Sequence, residues 1–199
     1  FSTGGYQVSP PMTKQYEWFT KNMLTGQKYS NWDGESSLFI VWFGINDING
    51  KSRITKKTSS EVDELITTSM FNMVNDMYDN GAKNFMFIYV PPMEKFPAYI
   101  NNRNTNIKTE VINFNENLNK FAKNFQATHL DTNVLVYNSY DEFNYIMENK
   151  NEYNIEDITY ECKVNNYQIC ETYFWMDDFH PTQTIHKYLA EDINEFLNT

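Results

Sequence analysis

Three short apolar runs stand out along the chain, and the stretches between them repeat at helical spacing. Residues 38–43 (LFIVWF) are continuously apolar, the pattern of a strand covered on both faces, as in a parallel sheet. Residues 84–92 (NFMFIYVPP) form a second run, closed by Pro91 and Pro92, which offer no N–H for further ladder pairing. Residues 133–138 (NVLVYN) form a third. Between the first two runs, Val62, Leu65 or Ile66, Ser69 or Met70, Met73 and Met77 recur as on one face of a helix. Ser59 or Ser60 is placed to cap its start and Gly81 to end it. Between the second and third, Val111, Phe114, Leu118, Phe121 and Phe125 draw an apolar stripe. Residues 139–149 then read as a short helix and are followed by a polar loop. Ile185, Leu189, Ile193 and Phe196 mark a last helix.

Strand and helix therefore alternate three times. That order predicts an α/β chain, a three-layer α/β/α arrangement around a parallel sheet. The length of 199 residues, with no internal repeat and no linker-like stretch, predicts a single domain over residues 1–199.

Composition narrows the function classes. With 41% hydrophobic residues the chain has enough apolar material for a core and is not a disordered tail. A formal net charge of −10 argues against nucleic acid or an anionic membrane as partner, since both would be repelled. No apolar run approaches the roughly 18–20 residues that span a bilayer. The two cysteines, Cys162 and Cys170, lie close together in the polar segment ECKVNNYQIC. We expect them to close a surface loop as a disulfide, worth roughly 2–3 kcal/mol for a loop this short, and so expect secretion. Two unrelated thiols in a cytosolic protein would be the alternative.

Candidate chemistry sits at two places. After the first strand come Gly44, Ile45, Asn46 and Asp47, and in open α/β sheets sites lie beyond the carboxyl ends of the strands. Gly44 lets the chain turn without a side chain in the crevice. Asn46 can then aim its amide at a developing oxyanion, while Asp47 braces the turn through nearby backbone N–H groups. Taken alone, Asn-Asp after Gly is also ordinary turn chemistry. The second place is YFWMDDFHPT, where Asp177 and His180 are three residues apart, near enough for the carboxylate to hold the imidazole Nδ1–H. Pro181 keeps His180 out of helical geometry, and Thr182 is placed to cap the helix that follows. A base with an orienting acid is two thirds of a nucleophilic triad. His129 and His186 lack such a setting and read as ordinary satisfied histidines.

Together, SLFIVWFGINDI and YFWMDDFHPT resemble the SGNH/GDSL hydrolase family, in particular its fungal and plant lipase- and acetylesterase-like branch. The strand–Pro-Pro segment FIYVPPM and the opening FSTGGYQV…KQYEWF look like their counterparts there, so the resemblance covers nearly the whole chain. It implies the three-layer SGNH fold and hydrolysis of carboxylic esters, acetylated carbohydrates or short-chain acyl esters, without metal or cofactor. Carried over by position, it makes His180 the general base, Asp177 (rather than Asp178) its orienting acid, and Asn46 an oxyanion-hole donor. The second donor is a backbone N–H that best matches Gly5, then Gly4. The family's nucleophile stands in a Gly-Asp-Ser block after the first strand, and this chain has none. Ser2 has no strand before it, and Ser36 and Ser37 stand at the wrong end of theirs. Either an N-terminal portion bearing one or two strands and the serine precedes this sequence, or the protein is a non-catalytic relative that binds glycans or a partner. The first is the expectation: the serine-bearing strand would pair with residues 38–43, whose apolar edge is otherwise open.

Overall fold

The computed structural model describes residues 10–51, 56–100, 106–163 and 169–199. In chain order the elements are α1 (Met12–Asn22), β1 (Leu38–Val41), α2 (Ile45–Gly50), α3 (Ser59–Asp79), β2 (Asn84–Ile88) and α4 (Pro97–Ile100). They continue with α5 (Ile107–Thr128), β3 (Asn133–Tyr137), α6 (Ser139–Glu148), β4 (Asp157–Glu161), β5 (Tyr173–Trp175) and α7 (Gln183–Phe196). This is a mixed α/β chain with parallel strands, the class its patterning predicts. It divides into two compact units, residues 1–90 with 112–136, and residues 91–111 with 137–199.

In the first unit β1 runs parallel to β2, from Leu38 opposite Asn84 to Val41 opposite Phe87, and β3 flanks β2 on its other side. Val41, Phe85 and Phe87 pack against Met70, Phe71, Val74 and Met77 of α3 and Leu118, Ala122 and Phe125 of α5. Phe71 stacks on Phe87 at 4.8 Å. The helical stripes explain this: their buried positions are the ones spaced to face the sheet, and Ile66 is buried while its alternative Leu65 is exposed. The start of α3 is capped by Thr58 rather than Ser59 or Ser60. Thr58 Oγ1 accepts the Glu61 N–H, and Glu61 Oε2 accepts the Thr58 N–H at 2.7 Å, a reciprocal capping box. Where Pro91 and Pro92 end the ladder, Asn115 of α5 takes over. Its Oδ1 accepts the Val90 N–H at 2.8 Å and its Nδ2 donates to the Val90 carbonyl at 2.9 Å.

β1 departs from the expectation of burial on both faces. Val41 is buried, but Leu38 and Ile40 are 37% and 54% exposed. Among the described residues β1 is also the end strand of its sheet, so both a face and an edge of it are open.

The second unit holds the parallel pair β4 and β5, with Asp157 opposite Tyr173 and Glu161 opposite Trp175. Both strands lie in or beside the stretch read from sequence as a polar loop. Phe143, Ile146, Phe174, Trp175, Ile185 and Leu189 form the buried interior, with Phe143 edge-on to Phe174 at 5.6 Å. Cys162 and Cys170 are bonded, with an S–S distance of 2.08 Å and a Cα–Cα distance of 5.6 Å, and both are buried.

Candidate active site

At the carboxyl end of β1 the chain turns at Gly44, whose φ of +130° lies in the region open to glycine. Space imposes the same choice: a Cβ here would come within 2.5 Å of the Phe114 ring and 2.6 Å of a Val90 methyl. The residues that follow do not make a simple turn. They form α2, a short helix that begins at Ile45 and carries Asn46 and Asp47 in its first turn. Its far end is fixed by an ion pair, Lys51 Nζ to Asp63 Oδ1 at 2.7 Å, with both side chains almost wholly buried. Lys51 also donates to Ser59 Oγ at 3.1 Å. Nothing in the sequence pattern singles out this pair, because its members stand twelve positions apart across the start of α3.

Asp47 does not do what the sequence suggests. Its carboxyl is buried, and Oδ1 has no hydrogen-bond partner among the described residues. Burial pushes its pKa up to about 6 and outweighs the hydrogen bond from its own backbone N–H. A cavity of about 390 Å³ lies beside this turn, lined by Ile40, Trp42, Gly44, Asn46 and Asp47 among others. Asn46 thus borders open space next to the uncovered strand.

The second unit carries the Asp177–His180 pair. Asp177 holds His180 Nδ1 with both oxygens, at 2.9 and 2.8 Å. Asp177 Oδ1 also accepts the backbone N–H groups of Phe179 and His180, each at 2.8 Å. Desolvation pulls the Asp177 pKa upward. The hydrogen bonds from the Phe179 N–H, the His180 ring and the His180 N–H outweigh it and hold the carboxyl below its usual range. The loop closes on itself as well, since the Met176 N–H donates to the His180 carbonyl at 2.8 Å. Its outer side is braced by α4: the Ala98 N–H donates to the Asp178 carbonyl at 3.1 Å, and Tyr99 meets Phe179 edge-on. Asp177, not Asp178, is therefore the residue that orients the imidazole. The ring is 74% exposed, with Nε2 on the side away from Asp177, the arrangement a general base requires.

Other expectations fall out differently. Thr182 stands at the N-cap of α7, yet its hydroxyl donates to the Tyr173 carbonyl at 2.8 Å and caps nothing. His129 stacks on Phe125 and sets Nδ1 2.8 Å from the Phe125 carbonyl, a structural role. Gly4 and Gly5, with Ser2, lie outside the described residues. The bracing contributions of Ala98, Tyr99 and Asn115 had no motif to announce them; the Pro-Pro punctuation before α4 was their only signal.

Among known proteins, the model of the GDSL-like lipase/acylhydrolase family matches residues 2–193. An acetylesterase of Thermothelomyces thermophilus is 27% identical over 179 residues, 88% of this chain and 57% of that protein. A GDSL esterase/lipase of Arabidopsis thaliana is 24% identical over 224 residues, covering 95% and 62% of the two chains. The thermolabile hemolysin of Vibrio parahaemolyticus is 24% identical over 190 residues, 84% of this chain and 43% of that protein. The chain thus spans 43–62% of the length of these relatives. A family match over nearly every residue, taken with parallel strands and an Asp–His pair ahead of the last helix, places the chain in the GDSL-like lipase/acylhydrolase family.

Proposed function

We propose that this chain supplies the base, its orienting acid and an oxyanion donor to a serine esterase. The Asp177–His180 pair carries the reading, because a doubly held Nδ1 fixes the imidazole tautomer that leaves Nε2 free to accept a proton. A serine hydroxyl attacks the ester carbonyl while His180 takes its proton. The carbonyl oxygen becomes an oxyanion, stabilised by the Asn46 amide and the Gly5 N–H. The intermediate collapses, His180 returns the proton to the departing alcohol, and water then releases the acid by the same route. Asp177 stabilises the imidazolium throughout without itself becoming protonated.

The serine belongs, in this reading, to a strand that covers β1. The open edge, the exposed Leu38 and Ile40, and the greater length of the relatives support that assignment. Acetylated carbohydrates or short-chain acyl esters are the proposed substrates. Secretion is the proposed location, supported by the disulfide; no helix among the described residues is long and apolar enough to cross a membrane. The protein that includes the preceding sequence should hydrolyse p-nitrophenyl acetate, and His180→Ala should remove nearly all turnover. Undiminished turnover in that variant refutes the role given to His180. The rival, a non-catalytic binding protein, requires that no Gly-Asp-Ser block precede Phe1.

A further inference from the structure

The second unit contains a cavity of about 540 Å³ that the proposed reaction does not use. Tyr153, Asn154, Glu171, Gln183, Lys187 and Tyr188 supply most of its chemistry. Met176 and Thr182, also on its wall, stand on either side of the loop that carries Asp177 and His180. The cavity therefore borders both ends of the loop that carries His180.

Its lining is amphipathic in a particular way. Tyr153 and Tyr188 lie 4.8 Å apart at 70°, and the Tyr188 hydroxyl donates to the Tyr153 carbonyl at 3.0 Å, so the pair is locked. Around them stand two amides, Asn154 and Gln183, and one charge of each sign, Glu171 and Lys187. Asn154, Glu171, Gln183 and Lys187 are all exposed, and a fatty acyl chain would find little apolar surface among them. An anion would meet Glu171, and a cation Lys187. A neutral pyranose suits the set: its C–H face lies on an aromatic ring and its hydroxyls pair with planar amides and carboxylate.

Asn154 adds a second observation. It is the only non-glycine residue with positive φ among the described residues, at +54°. Glycine would occupy that backbone more cheaply, yet the position puts an amide on the cavity wall.

We propose that this cavity is a carbohydrate subsite that takes one neutral pyranose of the alcohol portion of the ester, with Tyr153 as platform and Asn154 and Gln183 as hydroxyl partners. The identity of the ligand as substrate rests on the esterase reading, but binding does not.

The test is calorimetric titration of the protein, with its preceding sequence, against cellobiose, xylobiose and mannobiose, none of which carries an ester. At least one should bind saturably with a dissociation constant of roughly 1 mM, as expected for a small polar ligand. Tyr153→Ala should weaken it about tenfold, the scale of a lost aromatic contact. Asn154→Gly should weaken it about fivefold while leaving Tm unchanged or higher, since the backbone there favours glycine. His180→Ala should leave the affinity unchanged. Absence of binding by all three sugars, or affinity indifferent to both Asn154→Gly and Gln183→Ala, overturns the subsite. If that happens while p-nitrophenyl acetate is still hydrolysed, the esterase reading stands alone. Sugar binding that responds to these variants without any ester hydrolysis supports the subsite and removes the esterase reading.

Discussion

Asp47→Asn gives the sharpest physical test of the site in the first unit. Asp47 is 6% exposed, its Oδ1 lacks a partner, and burial raises its pKa from 3.8 to about 6. Ionising it in the folded chain therefore costs about 3 kcal/mol more than in the unfolded chain, at 1.36 kcal/mol per pH unit of displacement. The sign follows from the upward displacement. Only below about pH 3 is the carboxyl protonated in both states, and there Asp47 opposes folding least. Its cost then grows as pH rises to about 6 and is flat above. Asparagine keeps the shape and removes the charge, so the variant should approach the parent near pH 4 and exceed it by about 2–3 kcal/mol at pH 8. The assay is urea denaturation of the 199-residue chain from pH 4 to pH 8. Glu142 titrates in the same direction, pushed up to about 7 by burial and by the carboxylates of Asp192 and Glu195. The parent–variant difference at each pH isolates Asp47 from it. A difference that does not change with pH, or a variant weaker than the parent at pH 8, refutes the argument. The same substitution reports on the strand proposed to cover β1. Once an N–H from that segment reaches Oδ1, the carboxyl is favoured in its charged form and Asp47→Asn becomes destabilising.

Three further outcomes follow from the same geometry. Gly44→Ala combines a backbone at φ +130° with a Cβ 2.5 Å from Phe114, and should cost roughly 3 kcal/mol or more by urea midpoint. Lys51→Met removes the buried cation 2.7 Å from Asp63; about 3–5 kcal/mol should be lost by urea midpoint, and the double change Lys51→Met with Asp63→Leu should recover part of it. Asn46→Ala, assayed in the protein that hydrolyses p-nitrophenyl acetate, should lower kcat by about 10²–10³ with little change in KM, and a smaller loss returns Asn46 to a purely structural role.

The parts legible in the sequence are those written by repetition. The stripes of α3 and α5 could be read because their apolar residues recur over several turns, and β2 because a long apolar run has few alternatives. β4 (DITYE) and β5 (YFW) escaped because they are short and lie beside polar, asparagine-rich chain. α2 escaped for a different reason: INDING has poor intrinsic helix preference, and its helix is set by Gly44 at one end and the buried Lys51–Asp63 pair at the other. The cap of α3 was readable, since Thr58 and Glu61 have capping-box spacing, but Ser59 and Ser60 drew attention away from it. Asp47 illustrates the limit of local reasoning. Asn-Asp after Gly reads as a turn brace, and only the surrounding packing decides that Oδ1 of its carboxyl finds no donor among the described residues.

Asn46 and the Asp177–His180 pair are held by unlike means, and that difference governs how each should respond to change. The Asp177–His180 pair is local: three residues apart, it draws three N–H donors onto one carboxylate and closes its own loop through the His180 carbonyl. Such a unit keeps its geometry without a deep core around it, which is how the imidazole can be largely exposed and still oriented. Asn46 has no comparable local support. Its direction depends on a glycine wedged against Phe114 and Val90, on the strand end that Asn115 secures at Val90, and on a buried ion pair beyond the end of its helix. Each is a tertiary contact separated in sequence from Asn46. On the proposed esterase reading, substitutions in the core of the first unit should therefore degrade oxyanion stabilisation while leaving the orientation of His180 untouched, so that kcat falls before the pH dependence of the proposed base is disturbed.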